Sequence, residues 1–315
     1  MKTADSRFTW ITLGVEGGLY ESNLNAHLLS PAGSNNYICL DAGTLMEGLK
    51  VAVKNGCFTD IQSRDDLSLE GTVLHHNIKA FLITHPYLDH CEGLVIASPN
   101  CITKPLMSLT GVIDDIDRHL FNWRIWPNFG DRGVPPVLNV YRYVPMQAGE
   151  KMRIPETFMH AEAHPLAHGE HTDSAAFLIE SDGHYVLYMG DTGPDEVERR
   201  TSTEDLWKRV APIIRDNRMH GIFIEASYPD ERPDTQLFSH LTPAWLMTAF
   251  RKLSVIVDPQ NPAQSLKGLR VIITHIKPDL NTRVSTREII ERQLHAHNDL
   301  GLNFIFARQG RKCEL

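Results

Sequence analysis

Lys79-Ala80-Phe81-Leu82-Ile83-Thr84-His85-Pro86-Tyr87-Leu88-Asp89-His90 decides how the rest of the chain is read. Its first half is a short apolar run of strand type. Two imidazoles and a carboxylate then follow within six residues. In so tight a loop these side chains can converge on one or two cations. His85 and His90 offer neutral nitrogen and Asp89 a hard oxygen, a mixture that suits Zn²⁺ and similar divalent metals. A surface turn holding two unrelated histidines is the competing reading, and the remaining chain decides against it.

Outward from that stretch, apolar runs of strand type recur, and several end on an acid or an imidazole. Tyr37–Leu40 ends at Asp41, Tyr185–Met189 is followed by Gly190-Asp191, Ile222–Ile224 ends at Glu225, and Val271–Thr274 ends at His275. In layered α/β folds the strand ends gather on a common rim, where sites are built. One such coincidence means little. Asp41, His85, Asp191, Glu225 and His275 together, with His168 in a histidine-rich loop (His160–His171), are hard to explain as solvated loop ends. The pattern predicts a metal site.

Further strands are expected over Phe8–Leu13, Asn25–Leu29, Ala175–Ile179 and Asn303–Phe306. Helical spacing runs from Val112 to Trp123. A capping-box pair, Thr201 and Glu204, precedes a helix over Asp205–Arg215. Thr242-Pro243 is an N-cap and first-turn pair for a helix through Phe250, and Ser285 with Glu288 caps a last helix. The stretch from Asp41 to about Asn77 is poorly determined by pattern.

With 315 residues and 42% hydrophobic content, the chain is expected to form one α/β domain over 1–315, with a helical insertion around 105–132. A net charge of −8 argues against a nucleic-acid partner, which would require a basic face. A small anionic ligand is compatible with it, because a metal creates local positive charge. The cysteines number five and never form C-x-x-C, so neither a disulfide framework nor a thiolate zinc site is expected. No signal-like segment and no run of about 18 apolar residues is present. A soluble, cytoplasmic protein with no membrane partner is expected, or a periplasmic one if a leader has been removed.

Histidine-x-x-x-Asp-His after a strand, with Asp191 and His275 in later positions, resembles the signature of the metallo-β-lactamase superfamily. Within it the chain is more similar to class II cyclic nucleotide phosphodiesterases, over separated motifs from about Leu13 to His275. Glu21-Ser-Asn-Leu-Asn-Ala26, Asp41-Ala-Gly-Thr44 and Thr84 through Pro99 carry the amino-terminal half of the resemblance. His168-Gly169, Gly190-Asp191-Thr192, Glu225-Ala-Ser-Tyr-Pro229 and Ser239-His-Leu-Thr-Pro243 carry the rest. The long element ending Ser98-Pro99 and the His-Leu-Thr-Pro motif are specific to this class.

The resemblance implies a four-layer αββα sandwich and two adjacent divalent metals, most plausibly Zn²⁺, with Mn²⁺ or Fe²⁺ as alternatives. It puts His85 and His168 on the first metal, Asp89, His90 and His275 on the second, and Asp191 between them. His168 is chosen over His164 and His171 because His168-Gly169 matches the motif. The implied reaction is hydrolysis of a 3′,5′-cyclic nucleotide, cAMP or cGMP or both, to the 5′-monophosphate by attack of a metal-bound hydroxide on phosphorus. Asp89, Asp191 and His240 are expected to take part. His240 either contacts the phosphate and the leaving 3′-oxygen or is a structural cap. Asp41 is expected to orient a ligating histidine. Trp123, Trp126 and Phe129 either wall the substrate base or belong to the core. Another hydrolase of the superfamily, or a nucleotide-binding relative that has lost its chemistry, are the alternatives. The oligomeric state is undecided, a homodimer included.

The chain departs from the family pattern His-x-His-x-Asp-His at Tyr87, which stands where the second histidine supplies a ligand to the first metal. A phenol has a pKa of about 10, so it ligates at neutral pH only if the metal helps remove the proton. Its oxygen also lies beyond the position of the missing nitrogen. The phenol is expected to swing away and leave a weakened first site. Tyr87→His should therefore raise first-metal affinity and, at limiting metal, activity. Equal affinity at both sites of the natural protein, with no gain in the histidine variant, would make Tyr87 itself a ligand.

Overall fold

Runs rich in β-branched and aromatic residues, buried along almost their whole length, form the inner strands of the computed structural model, which describes residues 6–170, 172–280 and 284–315. Its internal contacts divide the chain into two units. The first comprises Met1–Val15, Tyr20–Ala163 and Arg308–Leu315, the second Glu16–Leu19 and His164–Ala307.

The first unit holds β1 (Phe8–Gly14), β2 (Ala26–Pro31), β3 (Tyr37–Leu40), α1 (Met46–Lys54), α2 (Leu69–Thr72), β4 (Ile78–Leu82), α3 (Leu88–Ala97), β5 (Lys104–Leu109), α4 (Thr110–Asp115), β6 (Tyr141–Met146) and β7 (Met152–Arg153). β8 (His160–His168) begins in it and ends in the second unit. The second unit continues with β9 (Thr172–Ser181), β10 (His184–Met189), α5 (Asp195–Glu198), α6 (Ser202–Arg215), β11 (Met219–Glu225), α7 (Pro243–Val257), α8 (Pro262–Ser265), β12 (Arg270–Thr274), α9 (Thr286–His297) and β13 (Asn303–Phe306). The chain then returns to the first unit with β14 (Lys312–Glu314).

Each unit has its own sheet, as expected of an α/β chain. In the first, the order is β14-β1-β2-β3-β4-β5-β6. The pairs from β14 to β3 are antiparallel and those from β3 to β6 parallel. In the second, the order runs β13-β12-β11-β10-β9-β8, with β9 and β10 antiparallel and β10 through β13 parallel. Parallel neighbours require crossovers. Helices α1 to α4 supply them in the first sheet and α5 to α9 in the second. Asp41 and His85 thus leave the carboxyl ends of the parallel strands β3 and β4. Asp191, Glu225 and His275 occupy the corresponding ends of β10, β11 and β12.

Several expectations are corrected here. The histidine-rich stretch is not a loop: His160–His168 is strand β8. Pro165 and the histidines obscured it, because proline fits a strand only where a ladder bond is absent. β7 pairs only with its first residues, Met152 opposite Ala161, which leaves the second half of that edge without β7. His171 lies outside the described residues. The helical insertion covers Thr110–Leu120 and not 105–132: β5 occupies its start, and residues 121–138 form bends and irregular backbone. The Thr242 hydroxyl does accept from the Trp245 amide, and α7 runs on to Val257. Its Phe250 ring packs on Trp207 of α6 at 5.7 Å.

One close approach fixes where α3 begins. The Gly93 amide donates to the Gly43 carbonyl at 2.9 Å and the Leu94 amide to the Ala42 carbonyl at 3.1 Å. A Cβ at Gly93 would lie 2.6 Å from the Leu45 nitrogen and 2.8 Å from the Ala42 oxygen. Both are backbone atoms and cannot turn aside. Alanine gains about 1 kcal/mol over glycine in an open helix, but overpacking costs about 1–3 kcal/mol. Gly93→Ala should therefore lower unfolding stability, by about 1 kcal/mol or more in a denaturant titration. A gain in stability would show that α3 and the 42–45 loop are free to separate.

Candidate metal centre

In the first unit, Asp41 is the origin of the arrangement. Its amide continues the ladder beyond β3 by donating to the Leu82 carbonyl at 2.9 Å. Its backbone then turns into the left-handed region, φ 52°. That turn leaves the carboxylate fully buried, and donors surround it. Oδ1 accepts from the Thr84 amide at 2.7 Å, Oδ2 from the Thr84 hydroxyl at 2.9 Å, and Oδ2 also from His90 Nδ1 at 2.8 Å. Both oxygens thus have donors in place of the water they lose on burial.

Two tautomers follow. His90 must carry its proton on Nδ1, which presents Nε2 as a lone pair. The single proton of the Thr84 hydroxyl is given to Asp41, so its oxygen accepts from His85 Nδ1, 3.0 Å away. His85 likewise presents Nε2. The two buried rings lie 4.1 Å apart between centroids, a spacing that suits neutral imidazoles and penalises two cations. Asp89 sits half-buried in the first turn of α3. Tyr87, 46% exposed, sets its ring edge-on to His85 at 5.0 Å.

His27 shows the contrast. It is fully buried, accepts from Trp10 Nε1 at 3.1 Å and donates from Nε2 to the Asn25 side-chain oxygen Oδ1 at 3.2 Å. Burial first, and His90 second, push its pKa down to about 3. Both of its nitrogens are used inside the protein, so it is a core histidine.

The second unit repeats the logic around Glu225, also buried. Its carboxylate accepts from the Thr192 amide at 2.9 Å, the Leu241 amide at 3.2 Å, His240 Nδ1 at 3.1 Å and the Ser227 hydroxyl. Burial and the nearby Asp191 would raise its pKa, but His240, through charge and hydrogen bond, and His275 bring it below the ordinary carboxylate value. With its proton given to Glu225, Ser227 accepts from His275 Nδ1 at 3.0 Å. Nε2 of His275 therefore faces Asp191, whose Oδ2 is 3.3 Å away. His168 donates from Nδ1 to the Ser239 carbonyl at 3.2 Å, and burial lowers its pKa, which favours the neutral ring with its lone pair on Nε2. Donor atoms of His168, Asp191 and His240 lie within 4.8 Å of one another, as do those of Glu225, His240 and His275.

His240 differs from the other four. Burial lowers its pKa, yet the carboxylates of Glu225 and Asp191 outweigh burial and leave it raised. It is the imidazole of this cluster best placed to hold a proton.

The backbone is strained where these groups are aimed. Asp41, His275, and both Phe238 and Ser239 ahead of His240 have positive φ, which costs a residue with a Cβ about 1 kcal/mol or more. Gly17 leaves room for the His275 ring: a Cβ there would come within 2.5 Å of it.

Each unit thus holds two histidines with Nδ1 bound and Nε2 presented, His85 and His90 in the first and His168 and His275 with Asp191 in the second, and each set fits divalent-metal binding. The amino-acid sequence agrees. A sequence model of the family described as cAMP phosphodiesterases class-II matches residues 7–310. The chain belongs to this family. Among class II phosphodiesterases, it is 41% identical to a 3′,5′-cyclic-nucleotide phosphodiesterase of Aliivibrio fischeri over 96% of this chain and 91% of that one. It is 34% identical to a probable 3′,5′-cyclic-nucleotide phosphodiesterase of Yersinia pestis, over 96% and 88%. The crystal structure of unliganded yeast PDE1 superposes with a TM-score of 0.82 at 22% identity, covering 98% of this chain and all (100%) of that one. The metallo-β-lactamase fold protein YhfI of Bacillus subtilis does so at 0.61 and 11% identity, over 98% and 99%. The class II phosphodiesterase fold seen here is thus a metallo-β-lactamase fold.

The aromatic segment has partners of its own within the first unit. Trp126 Nε1 donates to the Ser98 hydroxyl at 3.0 Å, Trp123 Nε1 to the Pro136 carbonyl at 2.9 Å, and Phe129 packs edge-on to Phe121 at 6.3 Å. His164 lies half-buried on β8. Sequence reasoning placed Glu225 at a strand end but gave it no task, and it overlooked the relaying hydroxyls of Thr84 and Ser227. The signals for the last two were their nearness to His85 and Glu225 and their place inside the family motifs that begin at Thr84 and Glu225.

Positioning of this kind typically contributes a factor of about 10–100 in metal affinity. Asp41→Asn and Ser227→Ala should each weaken divalent-metal binding by about that factor, read by chelator competition, with far-UV circular dichroism preserved. Unchanged affinity in both would mean that the tautomers are set elsewhere.

Proposed function

We infer that the protein hydrolyses 3′,5′-cyclic nucleotides to 5′-nucleoside monophosphates with the help of divalent metal. Membership of the class II phosphodiesterases supports the reaction. The observation that carries the metal is the set of four imidazoles whose Nδ1 atoms are held by Asp41, Thr84, Ser227 and the Ser239 carbonyl. We propose two ions, Zn²⁺ in the first instance. His85 and His168 serve one, Asp89, His90 and His275 the other, and Asp191 both; the family pattern joins these residues into one ligand set.

Divalent ions held so activate water and neutralise phosphoryl oxygens. The chain's own residues do the rest. Asp41 through Thr84, and Glu225 through Ser227, keep the histidines from rotating or taking a second proton. In the reaction the oxygen of a water that has given one proton to solvent forms the new bond to phosphorus, the bond to the 3′-oxygen breaks, and that oxygen takes up a proton. His240 is the group suited to supply it, since Glu225 binds its Nδ1 proton and leaves the Nε2 proton to give.

Two substitutions separate the roles. Asp191→Asn should lose both metal occupancy and turnover, whereas His240→Asn should retain metal and lose about 10²–10⁴ in kcat. Metal analysis beside release of 5′-AMP and 5′-GMP checks both. Full occupancy and an unchanged rate would remove Asp191 from the site, and loss of metal in His240→Asn would make that residue a ligand.

A further inference from the structure

A cavity of about 800 Å³ opens in the second unit, and Tyr228 links it to the candidate centre. The Tyr228 ring lines the cavity and meets His240 edge-on, 5.7 Å between centroids. Its volume lies in the range of small-molecule sites. Pro229, Leu280 and Ile289 give it apolar wall, while Glu231, Lys277 and Asp279 bring charge of both signs.

Its most defined polar group is Arg232. The guanidinium lies over the Tyr228 ring at 4.5 Å and over the Phe238 ring at 5.5 Å, and Nε donates to the Gln236 carbonyl at 2.8 Å. Two stacks and one hydrogen bond hold the plane, and none of these interactions uses the Nη edge. Glu231 is steadied in turn by Gln293 Nε2 at 3.0 Å.

A held guanidinium edge is a pair of parallel donors. Guanine offers it two adjacent acceptors, O6 and N7, whereas adenine offers N7 beside an N6 amino group that opposes donor to donor. The N1–H and N2 amino donors of guanine also match a carboxylate such as Glu231. We propose that this cavity receives the purine base of the cyclic nucleotide and that Arg232 makes the enzyme selective for guanine. The proposal rests on the phosphodiesterase reading above and adds the substrate preference.

The test measures kcat/KM for cGMP and cAMP with metal-loaded enzyme, and calorimetric binding of 5′-GMP and 5′-AMP, for the natural protein, Arg232→Lys and Arg232→Gln. Thermal melts confirm folding. A bidentate pair discriminates by roughly 5- to 150-fold, so the cGMP-to-cAMP ratio and the relative affinity for 5′-GMP should both fall by that order in both variants. Ratios and 5′-GMP affinity that move by less than about twofold, with cyclic nucleotides still hydrolysed, would overturn the cavity assignment and leave the function standing. A rise in KM for cGMP in Trp126→Ala, without one in the Arg232 variants, would put the base on the aromatic segment and equally overturn it. If the loaded natural protein hydrolyses neither nucleotide, the reaction falls, and the 5′-GMP comparison alone decides for or against the cavity.

Discussion

The bond from imidazole Nδ1 to a buried carboxylate, direct or through one hydroxyl, is the constraint on which the rest depends. A charge such as that of Asp41 or Glu225 costs several kcal/mol in the interior unless donors replace its water. Those donors come from residues that follow neighbouring strands, Thr84 for Asp41 and Thr192 and Ser227 for Glu225, and from the helical side, His90 on α3 and His240 and Leu241 just ahead of α7. Each carboxylate therefore fixes the register of its parallel strands as well as its histidines. The same device, acid at a strand end, hydroxyl, imidazole, recurs in both units.

Close backbone approach serves the same end by removal of volume. Gly43 and Gly93 let α3 start against the loop that carries Asp41, and Gly17 clears the ring of His275. The histidines are thus held from two sides, by a hydrogen bond at Nδ1 and by the walls around the ring. Little freedom remains to be lost when an ion arrives.

The strand ends were legible because an apolar run followed by one acid or imidazole is a local pattern. The spacing of His85, Asp89 and His90 named part of the site for the same reason. What stayed hidden is what depends on distant partners. Glu225 gathers donors from residues 192 to 241, and no short window shows that. His27 and His85 look alike in the sequence, yet Trp10 and Asn25 turn the first into core. β8 was missed because Pro165 and the histidines have weak strand propensity, and the insertion lost its helix after Leu120, where the chain turns about Asn128.

The left-handed residues have an evolutionary consequence. Asp41 and His275 occupy conformations that glycine adopts at no cost. Glycine at either position would relax the backbone while deleting the carboxylate or the imidazole. Folding and catalysis thus pull in opposite directions at these two codons. Selection on melting temperature alone would weigh that backbone relief against the hydrogen bonds lost with the side chain, whereas selection on turnover keeps the two residues in place.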